Sequence, residues 1–180
     1  MENKLKIGDK LPEFNLKNID GNFYSSKELS KNSQALIVIF SCNHCPYVKA
    51  YEDRIIQIQD DYFDRGVRII AINSNEDENY PEDSFDEMIK RSKEKNFNFP
   101  YLRDETQEVA KAFGATHTPE IFLFDNTQKL VYHGKIDDNW QNPQEVKTHY
   151  LRTAIEECLA GKEIQFPETY SIGCTIKWKK

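Results

Sequence analysis

Apolar residues along this chain gather in short unbroken runs and in stripes spaced three or four apart. Ala35-Leu36-Ile37-Val38-Ile39-Phe40 is such a run. A short apolar run rich in β-branched residues predicts a strand buried on both faces. Tyr47, Val48, Tyr51, Ile55, Ile58 and Tyr62 follow at spacings of three and four, one apolar stripe of a helix reaching about residue 63. Gly66 closes that unit as a helix stop. Val67-Arg68-Ile69-Ile70-Ala71-Ile72 predicts a second buried strand. Strand, helix and strand in this length read as a right-handed βαβ unit with parallel strands.

The flanks are less regular. Leu11 to Leu16 alternates apolar and polar, Asn22-Phe23-Tyr24 follows, and Asp20-Gly21 between them predicts a hairpin. Ser25 or Ser26 is placed to cap a short helix over 27–31. Residues 73–87 form a polar insertion with seven acids, Glu76, Asp77, Glu78, Glu82, Asp83, Asp86 and Glu87. It reads as a solvated loop whose acids enter a helix running to residue 95. Residues 99–102 predict a short edge strand, where Pro100 is tolerated. Asp104 is a cap for a helix over 105–113, with Gly114 as its stop. Residues 120–125 and 129–133 form a second hairpin. The last helix is expected from about Pro143 to Ala160, with Val146, Tyr150, Ala154 and Cys158 on one stripe. Cys158 then reads as a small buried hydrophobe. Residues 161–180 form a tail without a clear period, and residues 1–180 read as one domain.

Composition narrows the function. The 180 residues carry a net charge of −6 and no basic stretch to meet phosphates, which argues against nucleic acid as a partner. No stretch is apolar for long enough to span a membrane, and Met1 to Leu5 carries no signal-type apolar core. The expected location is therefore the cytoplasm, where disulfides are catalytic or redox-sensing rather than structural. No cofactor or metal is expected.

The chemistry lies where the first buried strand meets the long helix, at Ser41-Cys42-Asn43-His44-Cys45-Pro46. A helix start carries unpaired N–H groups and a partial positive charge, which favours an anion such as a thiolate. Cys42 is thus placed to have a lowered pKa and to act as a nucleophile. A Cys-x-x-Cys also suits half of a zinc site. A four-cysteine site needs a second close pair, however, and Cys158 and Cys174 are sixteen apart. His44, as an imidazolium between the cysteines, would stabilise the thiolate and the reduced form.

The order β-α-β-α-β-β-α, with Cys-x-x-Cys after the first central strand and Thr118-Pro119 opening a later one, resembles the thioredoxin fold. The resemblance implies an α/β protein of three layers, α/β/α, with a central mixed sheet, an N-terminal β-hairpin extension and a C-terminal tail. The extension and the helical insertion near 81–95 resemble the peroxiredoxin and thiol–disulfide oxidoreductase branch, the AhpC/TSA or redoxin type. Cys42 to Lys49, Ala71 to Asn75, Tyr80 to Ser84, Asp104 to Ala110 and the tail at 173–178 are similar to a peroxiredoxin-like group of that superfamily.

The resemblance implies a thiol–disulfide oxidoreductase with Cys42 attacking and Cys45 resolving. Pro119 matches the cis-proline that faces the dithiol, and Thr118 would offer its backbone to an extended substrate strand. The implied partners are a disulfide-containing protein or a low-molecular-weight thiol, and a reductant such as a thioredoxin or glutathione system. Two positions depart from the pattern. Leu36 stands where thioredoxins carry a buried acid, so another group must handle the proton, and Glu120 is the candidate. Ala35 and Ile39 stand where peroxidases of this superfamily carry Pro and Thr or Ser, so the peroxide-holding motif is missing. A thiol peroxidase with Cys42 as the peroxidatic residue is one alternative. A copper or zinc carrier using Cys42 and Cys45 with His117 or Cys174 is another. Cys174 is a candidate third redox thiol for Cys42.

Overall fold

A computed structural model describes residues 4–180. Met1 to Asn3, part of the segment in which a signal was sought, lie outside the described residues. A hairpin of β1 (Asn15–Asn18) and β2 (Phe23–Ser25) precedes a short helix α1 (Ser26–Ser30), capped by the Ser25 hydroxyl. The apolar run is β3 (Ala35–Phe40), buried at every position. It leads to α2 (Pro46–Tyr62), and Gly66 turns the chain at φ +83° into β4 (Val67–Asn73). Then come α3 (Phe85–Lys95), β5 (Tyr101–Arg103), α4 (Glu108–Phe113), β6 (His117–Thr118), β7 (Glu120–Asp125), β8 (Leu130–Gly134), α5 (Tyr150–Leu159) and β9 (Cys174–Thr175).

Seven strands form one mixed sheet in the order β2-β1-β5-β4-β3-β7-β8, with β3 parallel to β4 and antiparallel to β7. Strand side chains alternate between faces, and β3 shows what that does here. Ala35, Ile37 and Ile39 pack with Tyr51, Ile55 and Ile58 of α2 and Leu151 and Ile155 of α5. Leu36, Val38 and Phe40 pack on the other face with Phe14, Val109 and Phe113. Phe113 meets the rings of Phe40 and Phe122, each with centroids 5.1 Å away and near edge-on. The three-layer expectation therefore holds, because both faces of the central strands are covered.

Four expectations are corrected. The hairpin starts later than Leu11; Leu11 and Phe14 are instead core residues of the preceding segment. β5 is not an edge strand, because the β1–β2 hairpin adds beyond it through Asn18↔Leu102. The cap residue of α4 by position is Gln107, although Asp104 still accepts from the N–H groups of Val109 and Ala110. The last helix begins at Tyr150, seven residues after Pro143. Asp138 draws the intervening backbone out of a helix, accepting from the Lys147 N–H and donating its own N–H to the Thr148 carbonyl. Cys158 is half-buried against the core, and burial pushes its thiol up to about 11.

Candidate active site

The local chain path sets the dithiol. The Ser41 N–H donates to the Ile72 carbonyl at 2.8 Å, extending β3 by one residue before the chain turns. Cys45 is the N-cap of α2 and Pro46 its first residue, a position where a missing N–H costs nothing. Register pairs Phe40 with Glu120, so the cis Thr118–Pro119 bond faces the turn holding Cys42. The Thr118 hydroxyl lies 3.5 Å from Sγ of Cys42, and its carbonyl 3.5 Å from Sγ of Cys45. Both cysteines are almost fully buried, and both are free thiols.

Asp83 is the residue that the sequence pattern hid. It was grouped with the acids of a solvated loop, and the structure corrects this: Asp83 is fully buried beside the dithiol. A one-turn helix at Pro81–Asp83 delivers it. Its carboxylate accepts from the Asn43 N–H at 2.7 Å, from Asn75 Nδ2 at 2.9 Å and from Asn73 Nδ2 at 3.2 Å. Asn43 itself donates from Nδ2 to the Glu82 carbonyl and accepts from the Tyr101 hydroxyl at 2.8 Å. The insertion is therefore bolted to the Cys-x-x-Cys turn. Residues 73–76 are buried as well; the side-chain amides of Asn73 and Asn75 build this network, while Ser74 donates to Asp104 and Glu76 accepts from Asn79.

His44 stands between the two groups. Its Nδ1 lies 2.7 Å from Oδ2 of Asp83, out of line for a hydrogen bond, so the contact is a charge contact when the ring is protonated. The ring stacks on Tyr80 at 5.9 Å and 10°. Sγ of Cys42, Nδ1 of His44 and a carboxylate oxygen of Asp83 lie within 4.8 Å of one another. Among the described residues this is the one such trio of metal-capable donors. Of the metal-carrier set, Cys174 does meet Cys45, but His117 is not gathered with Cys42 and Cys45. His117 Nδ1 is instead 2.8 Å from the Thr116 hydroxyl.

The charge distribution over the sulfurs is also corrected. Cys42 was expected to be lowered, but its thiol is raised well above the ordinary range. Its hydrogen bond to Cys45 contributes most, then burial; the Asp83 carboxylate adds to the rise, while the Thr118 hydroxyl opposes it. Cys45 is lowered to about 4, first by the Cys42 thiol and then, against burial, by the Cys174 thiol and the Val48 N–H. A sulfur flanked by two thiol donors and a helix N–H holds the anion better than one flanked by a carboxylate.

Glu120 does not take the place of the missing acid. Its Oε1 accepts from the N–H groups of Thr116 and His117, and its Oε2 lies 2.7 Å from Nε2 of His133 and 3.4 Å from Lys4. None of its hydrogen bonds reaches a sulfur, so it fixes the loop that carries the cis-proline. Burial acts to raise its pKa, but His133, the Thr116 N–H and Lys4 together hold it below 4.5. Stability from Glu120 is then complete above its unfolded value and lost as pH falls through the lower folded one. Glu120→Gln should flatten the acid-unfolding curve below about pH 4.5, read by circular dichroism; an unchanged acid limb contradicts this role.

A free dithiol at a strand–helix junction, opposite a cis-proline in a three-layer fold, defines a thioredoxin-fold redox protein. Residues 7–133 match the AhpC/TSA family, and the chain belongs to it. The chain is 23% identical over 159 residues to the thiol-disulfide oxidoreductase ResA of Bacillus thuringiensis, covering 88% of this chain and 79% of that protein. Its structure is similar to a conserved protein from Geobacillus kaustophilus, with 42% identity, a TM-score of 0.92 and coverage of 98% and 94% of the two chains. A thiol:disulfide interchange protein of the thioredoxin family from Chlorobium tepidum shares the fold at 21% identity and a TM-score of 0.66, covering 86% and 99%.

Proposed function

We propose that the chain is a thiol–disulfide oxidoreductase that works through Cys42 and Cys45. The observation that carries this reading is the placement of both sulfurs within 3.5 Å of Thr118, next to the cis-proline, at the start of α2. The name of its ResA relatives supports the reaction class. Cys42 is the attacking residue. It is the sulfur that has two titratable groups, His44 Nδ1 and an Asp83 carboxylate oxygen, within 4.8 Å. Asp83 lies against the imidazole, and His44 is the group beside Cys42 that can hold its proton during the attack. The attack forms a mixed disulfide and expels one substrate thiolate. Cys45, its immediate neighbour, then gives up its proton, attacks Cys42 Sγ and releases the second substrate thiol. The substrate is a disulfide on an extended peptide or a small molecule, and a cellular dithiol restores the reduced pair.

The test is reduction of a peptide disulfide by the full chain with a dithiol as electron source. Catalysis above the dithiol-only rate is expected, and Cys42→Ser should abolish it. Equal rates with and without the protein would overturn the reading.

A further inference from the structure

The tail of the chain pairs with the strand edge at Thr118, beside the dithiol. β9 lies antiparallel to β6, with Cys174 opposite Thr118. Gly173 packs on the cis-proline loop so closely that a Cβ there would stand 2.0 Å from the Thr118 carbonyl oxygen. Beyond it the Ile176 N–H donates to the Thr116 carbonyl at 2.9 Å and the Lys177 N–H to Asn75 Oδ1 at 2.9 Å. The Lys177 carbonyl accepts from the Glu76 N–H and from Gln107 Nε2. Ile176 is buried in the cluster that holds Phe40 and Phe113. Backbone pairing on one edge, amides from two loops and a buried isoleucine make this segment a fixed part of the fold.

It carries Sγ of Cys174 to 2.7 Å from Sγ of Cys45. A disulfide needs about 2.05 Å, so little movement separates contact from bond. Cys174 was expected to partner Cys42, and the geometry corrects this: its neighbour is Cys45.

We propose that Cys174 is the third thiol of a relay, and that the tail strand is the resident acceptor for the disulfide made at Cys42 and Cys45. The inference rests on the oxidoreductase reading above. Once a substrate disulfide has been reduced, Cys42 and Cys45 are joined. Cys174, whose thiol burial pushes up to about 11, gives up its proton and attacks Sγ of Cys45. The Cys45–Cys174 bond forms and the Cys42–Cys45 bond breaks. Cys42 leaves as a thiolate and takes up the proton that Cys174 gave up, so the exchange moves the disulfide with no net oxidation. Cys42 is then reduced again, and the disulfide joins Cys45 at the start of α2 to Cys174 of β9, which is half-exposed while Cys42 is buried. An external dithiol attacks Cys174 Sγ and releases Cys45 as its thiol. The second thiol of that reductant then closes its own disulfide and frees Cys174.

The test uses the full chain with Cys158→Ser, which leaves these three thiols. The reduced protein is oxidised with an equimolar small disulfide, quenched in acid, alkylated and mapped by mass spectrometry. A Cys45–Cys174 bond with Cys42 alkylated is expected. Adding Cys174→Ser should shift the bond to Cys42–Cys45. Adding Gly173→Val keeps all three thiols, lifts β9 off Thr118 and should give Cys42–Cys45 as well, with thermal melting to show the chain is folded. Cys42–Cys45 alone in the chain with three thiols overturns the relay and leaves the oxidoreductase reading intact. A folded Gly173→Val protein that still forms Cys45–Cys174 overturns the role of strand docking. No Cys42–Cys45 bond in the Cys174→Ser protein overturns both readings.

Discussion

Cys45→Ser should trap a disulfide substrate on Cys42. Attack needs the first sulfur and release needs the second, so the variant completes half a turnover and stops. The expected result is a protein whose mass rises by one substrate half, with the adduct on Cys42, reversed by added dithiol. Steady-state turnover should fall by about 10³-fold or more, since a nucleophile or its partner in a covalent mechanism is not replaced by its surroundings. Cys42→Ser should lose turnover to the same extent and trap nothing. Burial of Cys45 does not protect it from this role, because the sulfur it must reach is its own neighbour. Turnover by Cys45→Ser near the wild-type rate would show that Cys45 does not resolve the intermediate.

Asp83 carries the second large effect, and it separates structure from chemistry. Three donors converge on one buried carboxylate, from the Asn43 backbone and from Asn73 and Asn75. Asp83→Ala leaves those donors unpaired in the interior, a cost of about 3 kcal/mol or more. In a protein of this size that lowers Tm by about 6–12 °C. Asp83→Asn keeps the shape and removes the charge. The Asp83 carboxylate raises the Cys42 thiol, so its removal should let the Cys42 thiolate appear at lower pH. The pH profile of Cys42 alkylation, read by peptide mass spectrometry, should move to the acid side. A profile that stays in place, or moves to the alkaline side, would remove Asp83 from the electrostatics of the site.

The parts of the fold that were legible are those whose burial is complete. β3 reads as a strand because both its faces are covered, so no polar residue interrupts it. α2 reads as a helix because one stripe, Val48 to Tyr62, meets the sheet. The junction between them fixes the dithiol, and Thr118-Pro119 fixes the loop opposite. Asp83 was not legible. Seven acids share the insertion, and only the docking of Pro81–Asp83 on Asn43 decides which one is buried beside the dithiol. β9 was equally hidden, since two residues carry no period and their partner lies over fifty positions earlier. Glu120 was misread for a related reason. Its place after the cis-proline is visible in the sequence, but the backbone N–H groups and the His133 ring that occupy it are not.

The central claim is that Cys42 and Cys45 form a reversible disulfide. It is tested most directly by equilibrating the Cys174→Ser, Cys158→Ser protein against a series of glutathione ratios and mapping the bond by mass spectrometry. The account predicts one transition, with a two-electron slope of about 30 mV per decade and a Cys42–Cys45 bond on its oxidised side. A protein whose cysteines stay reduced, or gain only glutathione adducts, across that series would contradict it.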